Sequence, residues 1–197
     1  MTRNAILRGA GLLVAAIAVW WLLFVGGPRW FRSAPSTPPT GETSPAQTDE
    51  AQRKITATLF FISEDGMSLV PVQQEVTFAE PVVEQARRII EAQIAPAAPP
   101  LASAIPAETK LRAIFLSERG DLFVDFTPEL TTGHTGGSLD ELFTVYAIVN
   151  AVTVNLPAIL RVQILIDGKE VDTLAGHVDL RNPLSKNMTW VKSDNPS

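Results

Sequence analysis

The stretch of this sequence best equipped for chemistry is Gly133-His134-Thr135-Gly136-Gly137-Ser138. A glycine-rich loop feeding a helix N-terminus can hold an anion on free backbone N–H groups. The Gly-Lys-Ser/Thr of a P-loop is missing; the loop reads either as a flexible connector or as a site for a carboxylate, on peptidoglycan or a partner side chain. Gly133, His134, Gly136 and Gly137 are the candidate binding residues of this loop. Ser138, His134 and Asp140 can also be written as a nucleophile, base and orienting acid. No G-x-S-x-G elbow surrounds Ser138, however. Ser138 already has a use as N-cap of a capping box, Ser138-Leu139-Asp140-Glu141. With no base–nucleophile pair identifiable, no catalytic residue is assigned and the chain is not expected to be an enzyme.

Metal chemistry has little to work with. The chain has two histidines and no cysteine. His177-Val178-Asp179 offers two ligands, where zinc sites use three or four. No metal and no cofactor is expected. The other candidate surface is a strand face. Asp125 stands between Val124 and Phe126, so alternation sends it to the wet side of a sheet with Arg112 and Phe123. An aromatic side chain on a polar face points to a contact surface.

The elements that must position these residues follow from periodicity. Ile55–Ile62 is β-branched and aromatic and reads as a strand. After the turn cluster Ser63-Glu64-Asp65-Gly66, Leu69–Phe78 reads as a second strand, with Pro71 marking an edge. Pro81 opens a helix whose Val82, Ala86, Ile89, Ile90 and Ile94 recur at helical spacing; the prolines after Ala95 end it. Thr109–Leu116 and Leu122–Phe126 form a hairpin in which Leu111, Ala113 and Phe115 share one face. Thr127–Gly137 reads as an irregular loop. A second helix follows, carrying Leu139, Leu142, Phe143, Tyr146, Val149 and Thr153 on one face and ending at Leu156-Pro157. Ile159–Asp167 is a strand with Leu160, Val162, Ile164 and Ile166 facing inward. Asp167-Gly168 is a hairpin turn, and Lys169–Leu174 returns. Residues 177–187 read as irregular. The order β-β-α-β-β-α-β-β defines an α+β fold, two helices packed on one face of a mixed sheet.

This domain, residues 55–187, is flanked by three segments of different character. Residues 1–32 form a membrane anchor: Gly9–Pro28 carries no charge over 20 residues. As a helix it extends about 30 Å, the thickness of a bilayer core. It is longer than a signal-peptide core and lacks a good cleavage site, so it reads as one uncleaved transmembrane helix. Trp30 and Phe31 between Arg29 and Arg32 suit the interface. Residues 33–54 form a Pro/Ser/Thr-rich linker with no large apolar side chain before Ile55, unable to build a core. As polyproline II, Ser33–Ala51 would span roughly 60 Å. Residues 188–197 form a polar tail. From Ser33 onward 12 basic residues face 21 acidic ones, a net charge of −9. That balance argues against a nucleic-acid partner and against docking on anionic lipid.

The ordered segments also resemble the GerMN domain of bacterial envelope proteins, first recognised in sporulation and germination proteins. The likeness rests on TLFFIS with LVPVQQEVTF, on PVVEQARRIIEAQIA, on AIPAETKLRAIFLSERGDLFVDFTPEL and on SLDELFTVYAIVNAVTVNLPAILRVQILIDGKEVDTLAGHVDL. It covers Thr56–Leu184. The resemblance implies a role in cell-wall or sporulation and germination processes without catalysis, behind a membrane anchor. It further implies a likeness to ring-building modules. The expected protein sits in the inner membrane with a single pass and its C-terminal domain outside the cytoplasm. Its expected partners are an envelope protein or peptidoglycan, with the membrane reached through residues 9–28 and homo-oligomers conceivable. The alternative is an envelope hydrolase, or a peptidoglycan or small-ligand binder, using the Gly133–Ser138 loop.

Overall fold

The computed structural model describes residues 53–192. The apolar run at 9–28, the tether to residue 52 and residues 193–197 lie outside the described residues. Among the described residues no helix is long and apolar enough to cross a membrane.

The chain builds β1 (Lys54–Ile62), β2 (Leu69–Thr77), α1 (Val82–Ile94), β3 (Leu111–Leu116) and β4 (Asp121–Phe126). It continues as α2 (Glu129–Thr132), α3 (Ser138–Asn155), β5 (Arg161–Ile166), β6 (Lys169–Glu170) and β7 (Leu184–Ser185). The class is α+β, but the strands form two sheets rather than the one expected. β1 and β2 pair antiparallel as an isolated hairpin. The other five form a mixed sheet in the order β3-β4-β5-β6, with β7 also on β5. β4 and β5 run parallel, joined by the α3 crossover.

The helices lie between these two sheets, which corrects the expectation of a single covered face. α3 buries Val145, Ile148, Val149 and Val152 against the five-stranded sheet. The same helix buries Phe143, Ala147 and Ala151 against the hairpin. A helix apolar on both sides is an interior helix. α1 does the same more economically: Ala86 and Ile90 enter one core and Ile89 the other.

Side-chain amides on the helices close what the ladders leave open. Gln93 bonds both the N–H and the C=O of Phe60, at 2.9 and 2.8 Å. Asn155 does the same for Thr58 at 2.8 Å each way. The outer edge of β1 is thereby satisfied without a neighbouring strand. Asn150 holds Asn187 in the same two-way manner at 2.7 and 3.0 Å. Val191 then pairs with Leu69 beside β2.

Candidate functional site

Two places gather the residues singled out above. The first is a half-open cleft of about 190 Å³ lined by Ile62, Ser103–Pro106, Gly133, His134, Thr135 and Asp140. Its walls are the 101–106 segment, the link from α2 to α3 and the first turn of α3. The link is less irregular than expected, because Glu129–Thr132 closes a helical turn before it. Gly133 permits the close approach. A Cβ there would stand 2.8 Å from the Glu129 carbonyl and 3.0 Å from Pro106 Cβ.

His134 is held from both sides. The Gly136 N–H donates to Nδ1 at 3.0 Å. That leaves the ring proton on Nε2, which faces Thr144 Oγ1 at 3.3 Å; Thr144 in turn donates to the Ala104 carbonyl at 2.5 Å. A ring whose two nitrogens are engaged by the fold is a strut, not a free base.

Ser138 is not the N-cap. The cap is Gly137, with φ 100°, and no side chain bonds the first turn. Ser138 is exposed and is the first helical residue. The capping-box pattern misleads because Glu141, its reciprocal member, is committed elsewhere. Glu141 is fully buried and accepts from Leu174 N at 2.8 Å and His177 N at 2.7 Å. Burial by itself pushes this carboxyl's pKa up. The backbone N–H groups of Ala175, His177, Leu174 and Val178 converge on it and bring it below the usual carboxylate value. This internal anchor gathers residues 174–178 into a turn, so the strand expected to reach Leu174 stops at Glu170.

Asp140, beside it, folds its carboxylate toward Gly137, whose Cβ position lies 3.5 Å from Oδ2. Thr135 Oγ1 donates to the same oxygen at 3.3 Å. The negative charge at this helix N-terminus is the chain's own, so a bound anion would be repelled. His177 and Asp179 part company: His177 Nδ1 lies 3.1 Å from Glu141 Oε2. Asp179 takes two bonds from the Arg181 guanidinium and one from its backbone N–H, which pull its pKa down to about 2.

The second place is the outer face of the five-stranded sheet, and here the register departs from simple alternation. A bulge between Leu111 and Ala113 shifts β3 against β4. Beyond a bulge the faces exchange. Ile114 and Leu116 therefore pack on the core, and Phe115 is 64% exposed. It pairs in register with Phe123, ring centroids 6.2 Å apart and tilted by 46°. Phe115 was the residue that strict alternation had placed inside.

Asp125 faces this side but is not wet, being only 7% exposed. Arg112 Nη1 donates to Asp125 Oδ2 at 2.9 Å and lies 3.0 Å from Asp167 Oδ1. The Gly168 N–H donates to Asp125 Oδ1 at 2.7 Å. Asp125 thus ties the β3 bulge to the β5–β6 turn, where Asp167 has φ 52°. At the other end of β4, Asp121 holds Arg161 through two bonds of 2.6 and 2.9 Å. The face is an aromatic pair bracketed by two arginine–aspartate pairs. Leu160, expected to face inward, precedes β5 and is 60% exposed.

With this geometry in view, the comparisons with known proteins are direct. The family model described as sporulation and spore germination (Germane) matches residues 58–172, more than half of the chain, and the chain belongs to that family. Among solved structures it is similar to the tandem GerMN domains of the sporulation protein GerM from Bacillus subtilis, with 19% identity and a TM-score of 0.53. That match covers 68% of this chain and 46% of the tandem structure, so this chain spans about half of that protein's length. A putative lipoprotein from Clostridium perfringens matches with 24% identity and a TM-score of 0.49, over 68% of this chain and 88% of that one. The first GerMN domain of GerM alone matches with 18% identity and a TM-score of 0.47, over 68% and 96%. No curated protein matches. At these identities the GerM tandem supports the fold alone. Family membership rests on the family model.

Proposed function

We propose that this chain is a membrane-anchored interaction module of the bacterial cell envelope, acting by binding in a sporulation, germination or cell-wall process. The supporting observation is the exposed Phe115 packed in a tilted pair with Phe123 and bracketed by the Arg112–Asp125 and Arg161–Asp121 pairs. A large exposed aromatic beside a half-buried one costs solvation in the free protein and is recovered when a partner covers it. The proposed partner is another envelope protein. The apolar run at Gly9–Pro28 supports an inner-membrane anchor, and the acidic, proline-rich segment after it supports an extracytoplasmic domain. Catalysis is disfavoured by the commitment of His134 to Gly136 and Thr144.

A photo-cross-linking residue placed at position 115 of the full-length protein in cells tests this reading. A discrete protein adduct is expected at 115 and not at exposed Glu64 on the hairpin turn. Equal labelling at both positions, or none at 115, would count against the sheet face. A cytoplasm-dependent reporter fused after Ser197 should stay inactive, and strong activity would overturn the topology.

A further inference from the structure

We infer that the cleft at the start of α3 takes a primary alkylammonium group, the side chain of a lysine on a protein partner. The sequence had suggested the opposite charge, a carboxylate on the glycine-rich loop. In the structure three donors of that loop are spent inside the fold. Gly133 N bonds Glu129 O, His134 N bonds Thr131 O, and Gly136 N bonds His134 Nδ1. Glu141 N bonds Gly137 O in the first helical turn. The one carboxylate on the cleft wall is Asp140. No arginine, lysine or histidine pairs with it among the described residues. Among the described residues its only side-chain donor is Thr135 Oγ1.

The sign of the field decides the ligand. A helix N-terminus carries roughly half a positive charge, and a full carboxylate on its first turn outweighs it. The lining supplies the rest of the fit. Ile62, Ile105 and Pro106 offer an apolar wall for an alkyl stem, and Asp140 offers the acceptor for its end. A volume of about 190 Å³ holds one side chain, well below the space of about 300 Å³ or more that larger ligands need. An ammonium flanked by its own carboxylate, as at the zwitterionic end of a diamino acid in a wall peptide, would bring a second negative charge to Asp140. A lysine side chain brings none. The cleft is distinct from the Phe115–Phe123 face, and its test leaves that reading standing or falling by itself.

The experiment titrates full-length protein in detergent micelles with Nα-acetyl-lysine N-methylamide, following the amide signals of Gly133–Asp140 by NMR. Controls are the Nε-acetylated probe, the norleucine analogue and free 2,6-diaminoheptanedioic acid. The lysine probe should saturate these shifts at concentrations at least about tenfold lower than either neutral probe, the change that one lost charge-assisted hydrogen bond gives. Asp140→Asn, checked for unchanged melting, should abolish that preference. Should the variant misfold, wild-type binding in about 1 M salt serves instead and should weaken, since the site is open to solvent. Equal binding of the norleucine analogue, or a preference that survives Asp140→Asn or high salt, would overturn the ammonium assignment. Tighter binding of the diamino acid than of the lysine probe would overturn the protein-lysine assignment.

Discussion

Replacing Glu141 by alanine should be among the most damaging single changes in the domain. The carboxylate is fully buried on α3 and accepts the Leu174 and His177 N–H groups at 2.8 and 2.7 Å. Alanine leaves the buried Leu174 N–H and the partly buried His177 N–H without their acceptor, and a buried donor left so costs about 1–3 kcal/mol. Loss of the side chain also opens a void behind the 174–178 turn. The expected loss is about 4 kcal/mol, a large share of the roughly 5–15 kcal/mol that holds a domain of this kind together. Glutamine keeps one acceptor and turns an amide N–H₂ toward N–H groups, so about 2 kcal/mol is expected. The pH dependence has a definite sign. The folded-state pKa of Glu141 lies below its ordinary value. Its contribution is therefore complete above the unfolded carboxyl pKa of about 4.3 and is lost as pH falls through the lower, folded value. Urea unfolding of wild type and variants at neutral pH and near pH 3 reads both effects, and hydrogen exchange at 174–178 localises them. If Glu141→Ala stays within 1 kcal/mol of wild type at neutral pH, or the gap between them widens on acidification, the buried-anchor reasoning is wrong.

Ser138→Ala should fall within about 0.5 kcal/mol of wild type, as an exposed residue without a bond does, whereas a true N-cap would lose about 1. Gly133→Ala should cost about 1–3 kcal/mol in urea unfolding, because its Cβ meets the Glu129 carbonyl and Pro106. Gln93→Leu should cost about 2–4 kcal/mol, since it strips the buried Phe60 N–H and C=O of their partners together. Arg112→Glu should destabilise by about 1–3 kcal/mol, less than breaking a fully buried pair because Arg112 is partly exposed. Phe115→Ser is therefore the cleaner probe of the sheet face, with its melting temperature expected to stay near that of wild type.

The elements of this fold were legible because their periods are strong. β1, β2, α1 and the β3–β4 hairpin all fall where the apolar patterns place them. What alternation could not carry was the bulge at Arg112. A period of two assumes an unbroken register, and one extra residue turned Phe115 outward and Ile114 inward. The two-sheet arrangement was hidden for a related reason. α3 is apolar almost all round, and a one-face reading of Leu139, Phe143 and Tyr146 misses that Ile148 and Val152 look to a second sheet. Among the polar residues that matter most, alternation sends Asp125 to the solvent side, and Gln93, Asn150 and Asn155 carry no signal in the pattern. Gln93, Asn150 and Asn155 sit on helices at positions that look unremarkable until the backbone edges they close are brought beside them. Glu141 offered a capping-box signal, and the long-range loop 174–178 outcompeted it. Of the candidate loop, Gly133 and His134 line a cleft whereas Gly136 and Gly137 do not, and its charge preference depends on where N–H groups point, which residue types do not state.

The sheet face and the His134 loop are the two places through which this domain could work. Two full-length variants, each checked for membrane insertion and an unchanged melting transition, should be compared in cells lacking the native protein: Phe115→Ser with Phe123→Ser, and His134→Ala. His134→Ala removes two hydrogen bonds of a half-buried ring, about 1 kcal/mol, and should still restore the envelope phenotype. The double serine variant should fail to restore it and should lose the adduct formed at the sheet face in the parent protein. Restoration by the double serine variant together with complete failure of folded His134→Ala would contradict the interaction-module account and make the loop the working site.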